Sequence, residues 1–122
     1  MPFPRIDEAT RAYFDSLVPD DPRVQVRPMF GNVGAFVNGN MFVGVFGSDV
    51  FVRLAEADRA ELLGEPGASR FEPMEGRPMA EYVTVPGSWR EEPDRTRDWV
   101  GRSLSWASEM PPKQPKKRTR KR

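Results

Sequence analysis

Residues 24–54 read VQVRPMFGNVGAFVNGNMFVGVFGSDVFVRL, and their punctuation sets out a run of antiparallel strands. Asn38-Gly39 is a strong two-residue hairpin signal, because a type I′ turn needs positive φ at both central positions. It parts a strand over 34–37 from one over 41–46, and Gly47-Ser48-Asp49 turns the chain again into 50–54. A first strand over 24–29 precedes them. In the third strand Met41, Val43 and Val45 alternate with Phe42, Gly44 and Phe46, so both faces are apolar. Such a strand is covered twice. Helices take one side, and a loop, another element or a second copy of the chain takes the other.

The flanks supply the helices. Over 6–18, at about 100° per residue, Ile6, Thr10, Tyr13, Phe14, Leu17 and Val18 share one face. Pro19-Asp20-Asp21-Pro22 stops that helix. A short helix over 56–63 ends at Gly64 and Pro66. Residues 64–78 are rich in Gly, Pro and charge and read as loop, with Phe71 as an anchor. Residues 80–85 form a fifth strand. A last helix starts near Asp94, a good N-cap type, and runs to about Ser108. Its stripe is Trp99, Val100, Ser103, Leu104, Trp106, Ala107 and Met110, and Pro111-Pro112 closes it. The expectation is an α+β fold of two layers, an antiparallel meander sheet with helices packed mainly on one face. One domain covers 1–110, and 111–122 is a tail disordered by composition.

Charge divides along the same line. The chain carries 19 Lys+Arg against 18 Asp+Glu, a net of +1. Seven of the bases (Lys113, Lys116, Lys117, Arg118, Arg120, Lys121 and Arg122) lie in the tail, which holds no acid. Taking those 7 from the 19 leaves 12 arginines and 18 acids in the body, a net of −6. An acidic body carries a basic appendage.

Composition also removes chemistry. The absence of His excludes Ser-His-Asp triads, imidazole bases and His-ligated zinc. The absence of Cys excludes disulfides, thiolate metal sites and thiol redox chemistry, and fits a reducing compartment. No Lys precedes Lys113, so the body has neither a Walker-A loop nor a Schiff-base lysine. The acid pairs Asp20/Asp21 and Glu91/Glu92 sit beside prolines, and no D-x-D-x-D-G cation loop occurs. No cofactor, metal site or catalytic residue is expected. The longest apolar run, 41–46, is far short of the roughly 20 residues of a membrane helix. No signal-peptide core opens the chain, and a cytoplasmic protein without membrane contact is the expectation.

Several motifs occur in an order that resembles a known family. Arg27-Pro28-Met29-Phe30-Gly31 with Gly34 resembles the R-x-M-F-G-x-x-G signature of TfoX/Sxy N-terminal domains. Asn38-Gly39-Asn40-Met41-Phe42, Val50-Phe51-Val52-Arg53, Gly76-Arg77-Pro78-Met79 and Tyr82-Val83 are similar to later segments of it. The chain departs from the pattern at Asn32, where the family has a second glycine, and at Ala55, where many members carry a helix-capping Asp. The resemblance, to a stand-alone branch of the family, implies a secretion-chaperone-like fold. It also implies kinship with regulators of natural competence, which act with a DNA-bound activator and carry a second domain.

Each motif has a structural and a functional reading. For the signature, Met29 and Phe30 fill the core, Gly31 and Gly34 permit positive φ, and Arg27 pairs with a carboxylate. Alternatively Arg27 and an exposed Phe30 form a partner surface. Phe36, Phe42, Phe46 and Phe51 can stack bases only beside cations, and 29–52 holds no Lys or Arg. Core or dimer contact is the reading for those rings. The tail bases either neutralise phosphates on DNA or RNA without base readout, or meet an acidic protein surface. The expected function is a non-catalytic regulatory or interaction module. Its expected partners are a protein, a second copy of the chain, and nucleic acid held nonspecifically by the tail. The alternatives are a protein-binding adaptor with no nucleic-acid role, or a small-molecule-binding domain or enzyme using Arg27, Tyr82 and carboxylates.

Overall fold

The computed structural model describes residues 7–29, 32–72, 76 and 79–111. Phe30, Gly31, Arg77, Pro78 and the seven tail bases lie outside the described residues, as does Ile6. The elements run α1 (Glu8–Leu17), β1 (Val24–Met29), β2 (Asn32–Val37), β3 (Asn40–Phe46), β4 (Asp49–Arg53), α2 (Glu56–Leu63), β5 (Ser69–Arg70), β6 (Tyr82–Thr84) and α3 (Pro93–Ser108). A 3₁₀ turn, Gly87–Glu91, leads into α3.

Local chemistry explains the boundaries. Asp7 caps α1, its Oδ1 accepting from the Thr10 N–H at 2.8 Å. That bond holds the Asp7 carboxyl below its ordinary pKa. At α2 the N-cap is Ala55, which offers no side-chain bond. The start of α3 differs from expectation: Pro93 takes the first turn and Glu92 the cap position, with Asp94 already helical. Proline's fixed φ and missing N–H suit the first helical position better than any other.

The six strands form one antiparallel sheet in the order β1-β2-β3-β4-β6-β5. The meander holds from β1 to β4. After α2 the chain lays down the short outer strand β5 first and returns through β6 beside β4. Ser69–Arg70 lies inside the stretch expected as loop, and two residues are too few to show a period of two. Phe14 and Leu17 of α1, Leu62 of α2 and Trp99, Val100, Leu104 and Ala107 of α3 all join one core with Val33, Ala35, Val37, Val45, Val50 and Val52. All three helices therefore occupy the same face.

β3 carries the departure that matters most. Ala35 pairs with Val43, but Phe36 pairs with Met41, so Phe42 is an extra residue with no partner on β2. The bulge resets the alternation. Phe42 and Val43 both enter the helix-side core, while Met41 moves to the opposite face with Gly44 and Phe46. The expected grouping of Met41 with Val43 and Val45 is corrected accordingly.

The opposite face is covered by the chain itself. Phe71 stacks on Phe51, with ring centroids 3.9 Å apart and planes 12° apart, and Tyr82 meets Phe51 edge-on at 5.6 Å. Met41, Phe46 and Met79 complete this smaller cluster. Of the three expected covers, the loop anchored by Phe71 is the one found. Burial raises the Tyr82 pKa, and its hydroxyl donates to the Met41 carbonyl at 3.2 Å.

Two glycines test the packing in opposite directions. A Cβ on Gly44 would lie 2.5 Å from Phe51 Cζ, because the ring rests on the bare backbone. Gly101 is exposed on α3, with nothing within 4 Å of the corresponding position. Gly44→Ala should cost about 1–3 kcal/mol by overpacking. Gly101→Ala should add about 0.5–1 kcal/mol by helix propensity. Urea unfolding of the two variants should move the midpoints in opposite directions.

Candidate interaction surface

β1 is an edge strand, and among the described residues no helix packs closely against it. Val24, Val26 and Pro28 pair with Val37, Ala35 and Val33, so they stand on the helix side of the sheet. Only Val24 reaches the core, as a partly buried neighbour. Val26 is 41% exposed, the one large apolar side chain so exposed among the described residues.

The other face of β1 presents Gln25 and Arg27, opposite Phe36 and Gly34. Arg27 places its guanidinium carbon 4.9 Å from the Phe36 ring centroid and donates from Nη2 to Gln25 Oε1 at 2.8 Å. The expected carboxylate partner is not there: among the described residues Arg27 meets a ring and an amide. Its side chain is exposed and Phe36 half-buried, so the pair forms a cationic-aromatic platform at the surface.

Gly34 serves proximity, not positive φ. Its φ is not in the left-handed region, unlike Gly39, Gly47, Gly67 and Gly76. A Cβ on Gly34 would sit 2.8 Å from Met41 Sδ, so the missing side chain seats Met41. Met29 closes β1 opposite Asn32. Asn32 is buried, and its Oδ1 accepts from the Gly47 N–H at 2.8 Å, tying the start of β2 to the β3–β4 turn. A glycine there could not make that tie.

The rings considered as base platforms are packing residues. Phe42 and Phe51 are fully buried, Phe46 lies edge-on to Phe71 at 5.9 Å, and Phe36 sits under Arg27. Sequence reasoning did not find Thr96, which is buried on α3 and lies 3.4 Å from the Tyr13 hydroxyl. A lone threonine in a helical stripe gives no signal of that kind.

Acidic groups are dispersed into ion pairs instead of gathered into a site. Arg95 pairs with Glu65 and Glu92, Arg97 with Asp94, Arg102 with Asp58 and Glu61, and Arg53 with Glu81. Among the described residues no three acids are placed to hold a metal ion. No helix among them is long and apolar enough to cross a membrane.

The turn into β1 carries the largest carboxyl shift. Arg23 donates from its backbone N–H and Nε to Asp21 Oδ1, at 2.9 and 3.0 Å, and from Nη2 to Oδ2 at 2.8 Å. These bonds lower the Asp21 pKa to about 2. The folded state thus favours the ionised carboxylate. Its contribution is in place above the ordinary carboxylate pKa and is lost as pH falls towards 2. Carboxyl NMR titration should give a midpoint near 2 for Asp21, and Arg23→Gln should return it towards the ordinary value.

A family model described as the TfoX N-terminal domain matches residues 12–107. A search of curated proteins returns no match.

Proposed function

Because the chain belongs to the TfoX N-terminal domain family, we propose that it is a non-catalytic regulatory module that works by protein contact at the β1 edge. The observation that carries this reading is the coincidence of the family signature with uncovered surface. Val26 is exposed on one side of β1, and the Arg27–Phe36 platform lies on the other. A signature that served only the core would not leave Arg27 open to solvent, beside an exposed Val26 and over a half-buried Phe36.

A second copy of the chain is the first partner to test. Size-exclusion with light scattering should return a dimer mass for the full chain. Val26→Asp should shift it to the monomer, because a desolvated charge without a partner disrupts an apolar contact. A monomer mass for the unmodified chain would remove self-association from this reading.

Nucleic-acid affinity belongs in this reading to Lys113, Lys116, Lys117, Arg118, Arg120, Lys121 and Arg122, since the body carries a net −6 and repels phosphate. For five to seven phosphate contacts, log K should fall with log salt at a slope of roughly −4.5 to −6.3. Gel-shift titrations of the full chain and of a truncation ending at residue 112 measure it. Equal weak binding by both would take the tail out of the mechanism.

A further inference from the structure

Beyond the proposed protein contact, a cleft of ≈ 360 Å³ opens at the far side of the molecule, between α2 and the β5–β6 edge. β1 and β5 are the two edges of the sheet, so five strand spacings of about 4.8 Å put it roughly 24 Å from Arg27. Its volume falls in the range of small-molecule sites, from about 300 to 1,000 Å³.

The cleft is built from a helical stripe facing a strand pair. Glu56, Arg59, Ala60 and Leu63 follow the i, i+3, i+4, i+7 spacing that shares one helix face. Across from them stand Arg70 of β5, paired with Val83 on the helix side of the sheet, and Ala80. Ala60 and Ala80 are both exposed, so the gap exists because two short side chains leave it open. Larger residues there would fill space without crowding the core.

Its charge runs against that of the body. Two guanidinium groups line the cleft against one carboxylate, on a body of net −6. Arg59 is fixed in place, Nη1 donating to the Leu54 carbonyl at 2.7 Å, which leaves its remaining donors free to point elsewhere. Arg70 forms no ion pair with a described residue, although 18 carboxylates are on hand in the body. The three arginines of α3, by contrast, are all ion-paired. A fixed guanidinium and a free one above an apolar floor of Ala60, Leu63 and Val83 recognise an anion with an apolar body.

We propose that the α2–β5–β6 cleft binds a small organic anion, its acidic head between Arg59 and Arg70 and its hydrocarbon part on Ala60 and Leu63. Glu56, which also lines the cleft, opposes that charge and limits the affinity.

The full chain titrated with 8-anilinonaphthalene-1-sulfonate provides the test, with octanoate and octylammonium as competitors. Saturable fluorescence is expected, displaced by octanoate and not by octylammonium. Arg70→Gln should weaken binding about tenfold, the loss of one charge-assisted contact. Ala60→Leu should weaken it by filling the cleft, and Glu56→Gln should strengthen it. All three positions are solvent-facing, and circular dichroism confirms that each variant is folded. Absence of saturable binding, wild-type affinity in either Arg70→Gln or Ala60→Leu, or displacement by octylammonium would overturn the assignment. None of these outcomes bears on the β1 surface.

Discussion

One extra residue in β3 decides how this sheet carries two apolar layers. Without the bulge at Phe42, strict alternation would put Phe42 on the same face as Gly44, Phe46 and Phe51. That face already seats the Phe51 ring on Gly44 and the Phe71 ring on Phe51. The bulge sends Phe42 to the helices and turns Met41 towards the smaller cluster, where Gly34 leaves room for its sulfur. Each glycine is then the counterpart of a large side chain. Gly44 answers Phe51, and Gly34 answers Met41.

A bulge frees backbone groups from the ladder, and here a helix answers for one of them. Ser103 on α3 is buried, its Oγ 2.6 Å from the Phe42 carbonyl and 2.5 Å from the Arg53 carbonyl. It docks the helix on the irregular part of the sheet with the one polar group its apolar stripe contains there. The far end of α3 is held in a similar way. Asn38 Nδ2 donates to the Ser108 carbonyl and Asn40 Nδ2 to the Pro111 carbonyl, each at 3.2 Å. The last carbonyls of a helix need such partners. The Asn-Gly turn therefore does two jobs, closing the β2–β3 hairpin and ending α3. Asn40, the first residue of β3, holds the chain at Pro111, just past the end of the helix.

The parts of the fold legible in the sequence are those that repeat. The α1 and α3 stripes appear as periodicity because each apolar residue reinforces the next, and Asn38 and Gly39 have the positive φ their chemistry requires. What stayed hidden depends on single partners distant in the chain. The bulge is one residue, and its sign is visible only in the register with β2. β5 is two residues long and exists because Phe71 anchors it beside Phe51. Arg27 was legible as important but not in role, since a guanidinium suits a carboxylate and an aromatic face equally well. The cleft could not be foreseen, because it is defined by what Ala60 and Ala80 fail to fill.

The edges of the sheet limit how another strand could pair with it. An edge strand invites pairing through its outward N–H and C=O groups. On β1 the outward row is that of Val24, Val26 and Pro28, since a proline within a sheet is tolerated where its missing N–H faces solvent. Pro28 offers no donor, and the Val24 N–H is already bonded to the Asp21 carbonyl at 3.0 Å. A strand added here would find a single N–H, that of Val26. The opposite edge, β5, is too short to extend a ladder. Backbone pairing is thus limited at both edges, and a partner there would rely mainly on side chains. On β1 these are Val26 on one face and the Arg27–Phe36 pair on the other, a small surface that favours shape and charge over strand exchange.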